Sequence, residues 1–292
     1  MTADSVASEV LFRKPYPAFR VKGHVFRETV YGIIRRLSFL LNHIEAERHR
    51  RNLQVGQMRI LDVGCGTGIN ISIPLASIGY SVLGLDIDSA SIARAQEISA
   101  DIPTVEFRCC YLEQASLASR FHIVICSEVF EHLKQPAVLL KQLRDILEEN
   151  GVLLITVPNG YGYFELEHSL EESFPNLNRI TDQFQHRFIA RHASESIRQR
   201  HEKEWCPDHY QLAWTSLSPD QEHYQRSTPR EMRRLLREQR FEMIEFRNRT
   251  FLAGNILSNL VRDWDWFLEW NGTAADYLPH WLCSGWMIAA RR

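Results

Sequence analysis

Residues 59–68 read Arg-Ile-Leu-Asp-Val-Gly-Cys-Gly-Thr-Gly, and their side chains do less than their backbone. An apolar run, Ile60-Leu61, leads into an acid, Asp62. Glycine then recurs at every second position: Gly64, Gly66 and Gly68. This is the pattern of a buried strand opening into a loop that accepts positive φ and lets a ligand approach main-chain N–H groups. A dinucleotide loop of the form G-x-G-x-x-G would place its third glycine at 69, where this chain has Ile69. The acid also speaks against a pyrophosphate cradle, because a carboxylate repels phosphate and attracts a cation.

A second apolar run, Ser81-Val-Leu-Gly-Leu-Asp86, ends in a carboxylate about twenty residues past the loop, where a βαβ unit puts the acid that binds ribose hydroxyls. Ile69–Ile78 supplies the intervening helix, with Pro74 predicting a kink or a late start and Gly79 closing it. Asp88 or Ser89 caps the next helix. Val105–Arg108, Phe121–Cys126 and Gly151–Val157 read as further strands, with a helix over 136–149 before the last of them. Thr228-Pro-Arg-Glu231 is a capping box opening a helix to about Gln239. Strands follow at 241–247 and 284–290. Strands alternating with helices predict an α/β fold with a parallel sheet covered on both faces.

The run Asp-Val-Gly-Cys-Gly-Thr-Gly resembles motif I of the class I S-adenosylmethionine (SAM)-dependent methyltransferases. Ser127-Glu-Val-Phe-Glu-His-Leu133 and Thr156-Val-Pro-Asn-Gly160 resemble the post-strand segments of a bacterial branch containing the ubiquinone-type O-methyltransferases. The resemblance covers about residues 55–157 and 221–292. It implies a Rossmann-like, seven-stranded, mostly parallel sheet with an antiparallel last strand. It also implies SAM as cofactor, around which stand Asp62, Gly64, Cys65, Gly66, Thr67, Gly68, Asp86, Ile87, Tyr111, Leu112 and Ser127. Asp62 would face the methionine end, Asp86 the ribose hydroxyls and Ile87 the adenine. Many relatives carry an acid after the third strand. Here that stretch is Cys109-Cys110-Tyr111-Leu112, so backbone or Tyr111 would meet the adenine.

Methyl transfer to a hydroxyl requires removal of its proton by a base or by a metal that lowers its pKa. Glu128-x-x-Glu131-His132 brings two carboxylates and an imidazole to the exit of the fourth strand, and in a helical turn Glu128 would lie near both partners. His132 is the candidate base, with Glu131 as its helper. The same pattern resembles the metal site of ubiquinone O-methyltransferases and of the 2′-O-methyltransferases of small-RNA 3′ ends. Glu128, Glu131, His132 and His223 are then the candidate ligands of a divalent ion, an alternative that is open but not favoured.

Around this core, residues 1–54 are expected to form a helical cover, with Ile33, Ile34, Leu37, Leu40, Leu41 and Ile44 at near-helical spacing. The expected division is 55–157 for the SAM-binding core, 158–226 for an insertion carrying six of the twelve histidines, and 227–292 for the remainder. That remainder includes a tryptophan-rich insertion at 248–280. The N-terminal helices and the two insertions are expected to form a lid. Leu257, Leu260, Trp264, Phe267 and Trp270 are read as a helix packed on the core, with an acceptor wall or membrane patch as the sharper alternative. Arg230, Arg233, Arg234, Arg237 and Arg240 are read as a solvated helix face.

With 292 residues, 45% hydrophobic content and a formal charge of −2, the chain can bury a large core and offers no bulk attraction to nucleic acid. No run approaches the ~18 apolar residues of a membrane span, and the N-terminus lacks a signal-peptide pattern. Six scattered cysteines suit reduced thiols, so a cytoplasmic setting is expected. The expected activity is SAM-dependent O-methylation (EC 2.1.1.-) of a small molecule, sugar or lipid-linked intermediate. The alternatives are an RNA 3′-end 2′-O-methyltransferase-like enzyme or a non-catalytic SAM-binding protein, with an NAD-dependent oxidoreductase weaker still. A small-molecule acceptor is the expected partner and nucleic acid is not. Peripheral membrane contact stays open, and the sequence does not set oligomeric state.

Overall fold

A computed structural model describes residues 19–21, 24–26, 28–163, 167, 173, 174, 176, 179–181, 183, 224, 226–261 and 264–292. Two short strands, β1 (Phe19–Val21) and β2 (His24–Phe26), pair as an antiparallel hairpin ahead of α1 (Ile33–Arg51). The main sheet holds β3 (Arg59–Val63), β4 (Ser81–Asp86), β5 (Val105–Cys109), β6 (Phe121–Ser127), β7 (Leu147–Pro158), β8 (Glu242–Asn248) and β9 (Gly285–Arg291). Their order is β5-β4-β3-β6-β7-β9-β8. All neighbours pair in parallel except at β9, which runs antiparallel to both β7 and β8. The seven strands and the inverted last strand are those the sequence implied.

Alternation along each strand builds two cores. Ile60, Val82, Phe107, Ile123, Ile125, Leu154 and Met287 point to the face covered by α1, α2 (Ser72–Ser77) and α3 (Ser89–Ile98). Leu61, Leu85, Val124, Cys126, Leu153, Ile155 and Trp286 point to the other, covered by α4 (Pro136–Ile146) and α5 (Pro229–Glu238). Burial on both faces explains why the central strands are continuously apolar. Leu37, Leu40, Leu41 and Ile44 of α1 join the first core, so this N-terminal helix packs on the sheet. Its basic last turn is answered by Glu45 and Glu47.

One helix shows the late start expected from Pro74, and two other elements differ from expectation. Helix α2 begins late, at Ser72, which leaves Pro74 in its first turn where no N–H is needed. Helix α4 ends at Ile146 rather than Glu149, because Leu147 pairs with Phe121 and is fully buried. That burial contributes ~2 kcal/mol. Another helical turn would put Glu148 and Glu149 at the negative end of the helix dipole. The tryptophan segment forms two helices, α6 (Asn255–Val261) and α7 (Asp265–Tyr277). Leu257, Leu260, Phe267 and Leu268 pack in a small cluster with Val30 and Tyr31, as read. Trp266 and Trp270 instead face outward, 66% and 47% exposed.

Among the described residues, no helix is long and apolar enough to cross a membrane. Segments on both sides of the 158–226 insertion contribute strands to one sheet, while most of that insertion lies outside the described residues. In the arginine row of α5, Arg234 is exposed and pairs with Glu238, as a solvated face would have it, while Arg233 is packed over the Phe246 ring at 4.4 Å.

The Thr228 hydroxyl accepts from the Glu231 N–H while the Glu231 carboxylate accepts from the Thr228 N–H. Loss of such a cap costs about 1 kcal/mol. Thr228→Ala is expected to lower unfolding stability by about that amount in urea titration, with an unchanged m-value.

Candidate active site

The order of the strands reverses between β3 and β6, and open α/β sheets bind ligands in the crevice beyond the carboxyl ends at such a point. A cavity of about 800 Å³ lies there. Asp62, Gly64, Cys65, Gly66 and Thr67 line it from the β3 loop, and Asp86 and Ile87 from the end of β4. Tyr111 and Leu112 line it from beyond β5, and Ser127 from the end of β6. All but one of the residues that the resemblance placed around a cofactor therefore meet in this cavity. The exception is Gly68, which lies behind it.

The three glycines serve three different contacts. All take positive φ, at 74°, 54° and 70°. A Cβ at Gly64 would lie 2.3 Å from a Val129 methyl, and one at Gly68 would lie 2.4 Å from the Phe107 ring. A Cβ at Gly66 would meet nothing within 4 Å. Gly64 and Gly68 thus seat the loop on the protein, and Gly66 turns its bare backbone to the cavity. Asp86 steadies this loop: its carboxylate accepts from the Gly66 N–H at 2.7 Å and from the Asp88 N–H at 2.9 Å.

Asp62 is buried and accepts from the Ser72 hydroxyl at 2.6 Å. Burial pushes its carboxyl up to about 6, and the charge of Asp86 adds to this against the opposing effects of Ser72 and Arg36. Cys65 and Cys126 are pushed up by burial and by nearby carboxylates, so neither is an activated thiol.

Glu128 does not begin a helical turn. Its φ is 55°, and a short 3₁₀ turn, Phe130–His132, follows it. The carboxylate accepts from Thr156 Oγ1 at 2.7 Å and from Arg249 Nη1 at 2.6 Å, with Arg36 Nη1 at 3.9 Å. The Thr156 proton points to Glu128, so the Ser127 hydroxyl donates to Thr156 at 2.7 Å. Burial would raise the Glu128 pKa, but Arg249 and Arg36 outweigh it and hold the group near 2. Glu131 is buried behind the cavity, not in it. Burial, with the charge of Glu128, pushes its carboxyl well up. His132 lines the cavity, with Nε2 3.9 Å from Glu131 Oε1.

Glu131, its carboxyl pushed up by burial, stands beside His132, and Glu128 is ion-paired with Arg249. Among the described residues no three His, Cys, Asp or Glu side chains form a metal-binding group. His223 lies outside the described residues.

Two cavity residues were not anticipated. Arg36 projects from α1 and, among the described residues, its guanidinium makes no hydrogen bond. Arg249, just after β8, is buried and passes between two glycines. A Cβ on Gly32 would lie 3.0 Å from its Cγ, and one on Gly285 3.1 Å from its Nη2. For Arg36 the available signal was an arginine within the apolar run Ile33–Leu41. Arg249 stands between polar neighbours and carried none.

The methyltransferase domain family matches residues 26–245 of this sequence. The chain belongs to that family. Its sheet and loop place it among the class I SAM-dependent methyltransferases. It is 35% identical over 116 residues to the ubiquinone biosynthesis O-methyltransferase of Bradyrhizobium diazoefficiens, covering 39% of this chain and 45% of that protein. It is 33% identical over 117 residues to the mitochondrial ubiquinone biosynthesis O-methyltransferase of Mus musculus, covering 38% and 31%. The chain thus spans less than half the length of these relatives. A solved SAM-dependent methyltransferase from Mesorhizobium loti superposes with a TM-score of 0.49 at 16% identity, covering 87% of this chain and 98% of the other.

The loop contacts separate two kinds of glycine variant. Gly64→Ala is expected to destabilise the fold by ~2 kcal/mol or more, read by denaturant titration, because it combines a clash with positive φ. Gly66→Ala is expected to cost about 1 kcal/mol of stability and to weaken S-adenosylhomocysteine binding more than tenfold by calorimetry.

Proposed function

We propose that this chain methylates an oxygen of a small-molecule acceptor, with SAM as donor. The observation that carries this reading is that one cavity joins the bare glycine loop, Asp86 and His132. The residues fit the donor group by group. Gly66 leaves open space at the backbone, and Asp86 keeps acceptor capacity for ribose hydroxyls. Ile87 and Tyr111, 61% and 58% exposed, offer apolar faces to adenine. Asp62 suits the methionine ammonium, and the unbonded guanidinium of Arg36 suits its carboxylate.

SAM supplies a methyl group already activated on a sulfonium. The protein's task is therefore to hold the acceptor oxygen in line and remove its proton. Glu128 is occupied by Arg249 and Thr156, and Glu131 does not line the cavity, so His132 is the cavity group suited to accept one. The Glu128–Arg249 pair keeps the wall beside His132 in place. Oxygen is the favoured target because the named relatives are O-methyltransferases. The metal-assisted RNA reading would need Glu128 as a ligand, and Glu128 already accepts hydrogen bonds from Arg249 and Thr156.

Methyl incorporation from SAM into a small-molecule extract tests the reading. His132→Ala is expected to lower it by about 100-fold or more while leaving SAM affinity unchanged. Full turnover in that variant would remove His132 as base. Labelling confined to RNA would remove the acceptor class.

The raised Asp62 pKa sets a pH dependence. A cationic ligand favours the ionised form, so binding releases a proton when Asp62 starts protonated. SAM affinity is then expected to fall as pH drops below about 6 and to level off above it. In Asp62→Asn, calorimetry should find weaker binding without this dependence.

A further inference from the structure

Among the described residues, four carboxylates line the cavity: Asp62, Asp86, Glu113 and Glu128. Asp62 accepts from Ser72, Asp86 holds the glycine loop and Glu128 answers Arg249. Glu113 takes part in none of these contacts. It stands in a short 3₁₀ turn, Leu112–Gln114, just past β5, and accepts from the Gln142 side-chain amide of α4 at 2.7 Å. Both partners line the cavity, so this bond joins two of its walls.

The walls beside that bond are apolar. Val138 and Leu139 lie one turn before Gln142 on α4, and Leu112 precedes Glu113; all three line the cavity. The Cys110 N–H donates to the Asp86 carbonyl at 3.0 Å, which ties the approach to the turn to the end of β4, where Ile87 follows. The result is an apolar slot with one polar edge, a shape that suits a flat heterocycle. The chemistry of that edge is one-sided. An ionised carboxylate can only accept, and the Glu113 backbone N–H together with Gln142 holds this one below its usual range. The Gln142 nitrogen must face the carboxylate, which turns the amide oxygen away as a second acceptor. An exocyclic amine supplies protons to such an edge. The oxygen that replaces it in an oxopurine would meet acceptors with no proton between them.

We propose that Glu113, positioned by Gln142, accepts a hydrogen bond from the exocyclic amine of the cofactor's adenine and selects adenine over an oxopurine. This inference rests on the reading of the cavity as the SAM site. It adds a polar contact for the base to the apolar faces of Ile87 and Tyr111.

Calorimetry on the full chain with S-adenosylhomocysteine and with S-inosylhomocysteine, which carries an oxygen in place of the amine, tests the assignment. The wild type is expected to bind the adenosyl form about tenfold more tightly or better. Glu113→Gln, whose amide can also donate, should lose most of that preference, mainly by weakening the adenosyl form. Gln142→Ala should narrow it in the same direction, because the carboxylate then loses its support. Glu113 is exposed, so its variants should keep the wild-type unfolding midpoint in urea. A preference as large in Glu113→Gln as in the wild type, or no preference in the wild type, would overturn the assignment alone. An unchanged preference in Gln142→Ala would remove Gln142 from it. Failure of the wild type to bind S-adenosylhomocysteine would instead overturn the cofactor reading beneath it.

Discussion

The ion pair between Glu128 and Arg249 holds the working end of this molecule together. Its carboxylate follows β6, its guanidinium follows β8, and Thr156 of β7 and Arg36 of α1 complete it. Four separate stretches of chain therefore meet at one charge. Arg249 is buried deeply enough that an unmatched guanidinium there would carry a heavy desolvation cost. Glu128 accepts a left-handed backbone to reach it, a conformation that glutamate rarely takes and that surrounding contacts must enforce. The pair also acts on a neighbour, because the charge of Glu128 adds to burial in pushing the Glu131 carboxyl up.

The alternating glycines, the acids closing β3 and β4 and the apolar strands are local signals, and each was legible in the sequence. A loop that needs positive φ at 64, 66 and 68 can be read from glycine alone. The seven strands were legible because burial on both faces leaves unbroken apolar runs. What could not be read is what depends on distant pairing. Nothing near Glu128 in sequence announces Arg249, 121 residues away. Without that partner, Glu128-x-x-Glu131-His132 looks like a helical turn of three ligands. The end of α4 was misjudged for a similar reason: Leu147 leaves the helix to pair with Phe121, and local propensity does not record that partner.

Two carboxylates stand at the glycine loop, and Asp62 is raised to about 6 by burial and by the charge of Asp86. A cationic ligand at that end relieves the strain between them, so the same burial that makes Asp62 costly in the empty site favours a cation in the filled one. Arg249 from the post-β8 segment is paired with Glu128, while Arg36 from α1 feels the charges of both Glu128 and Asp62.

The path of Arg249 between Gly32 and Gly285 ties three distant positions into one inheritance unit. Gly32 has positive φ and lies against the arginine stem, and Gly285 opens β9 against the carbonyl of Val157, 2.8 Å from where a Cβ would sit. A larger residue at either glycine would displace the guanidinium that Glu128 needs, and a shorter side chain at 249 would leave both glycines lining a void. Descendants of this chain should therefore change positions 32, 249 and 285 together or not at all.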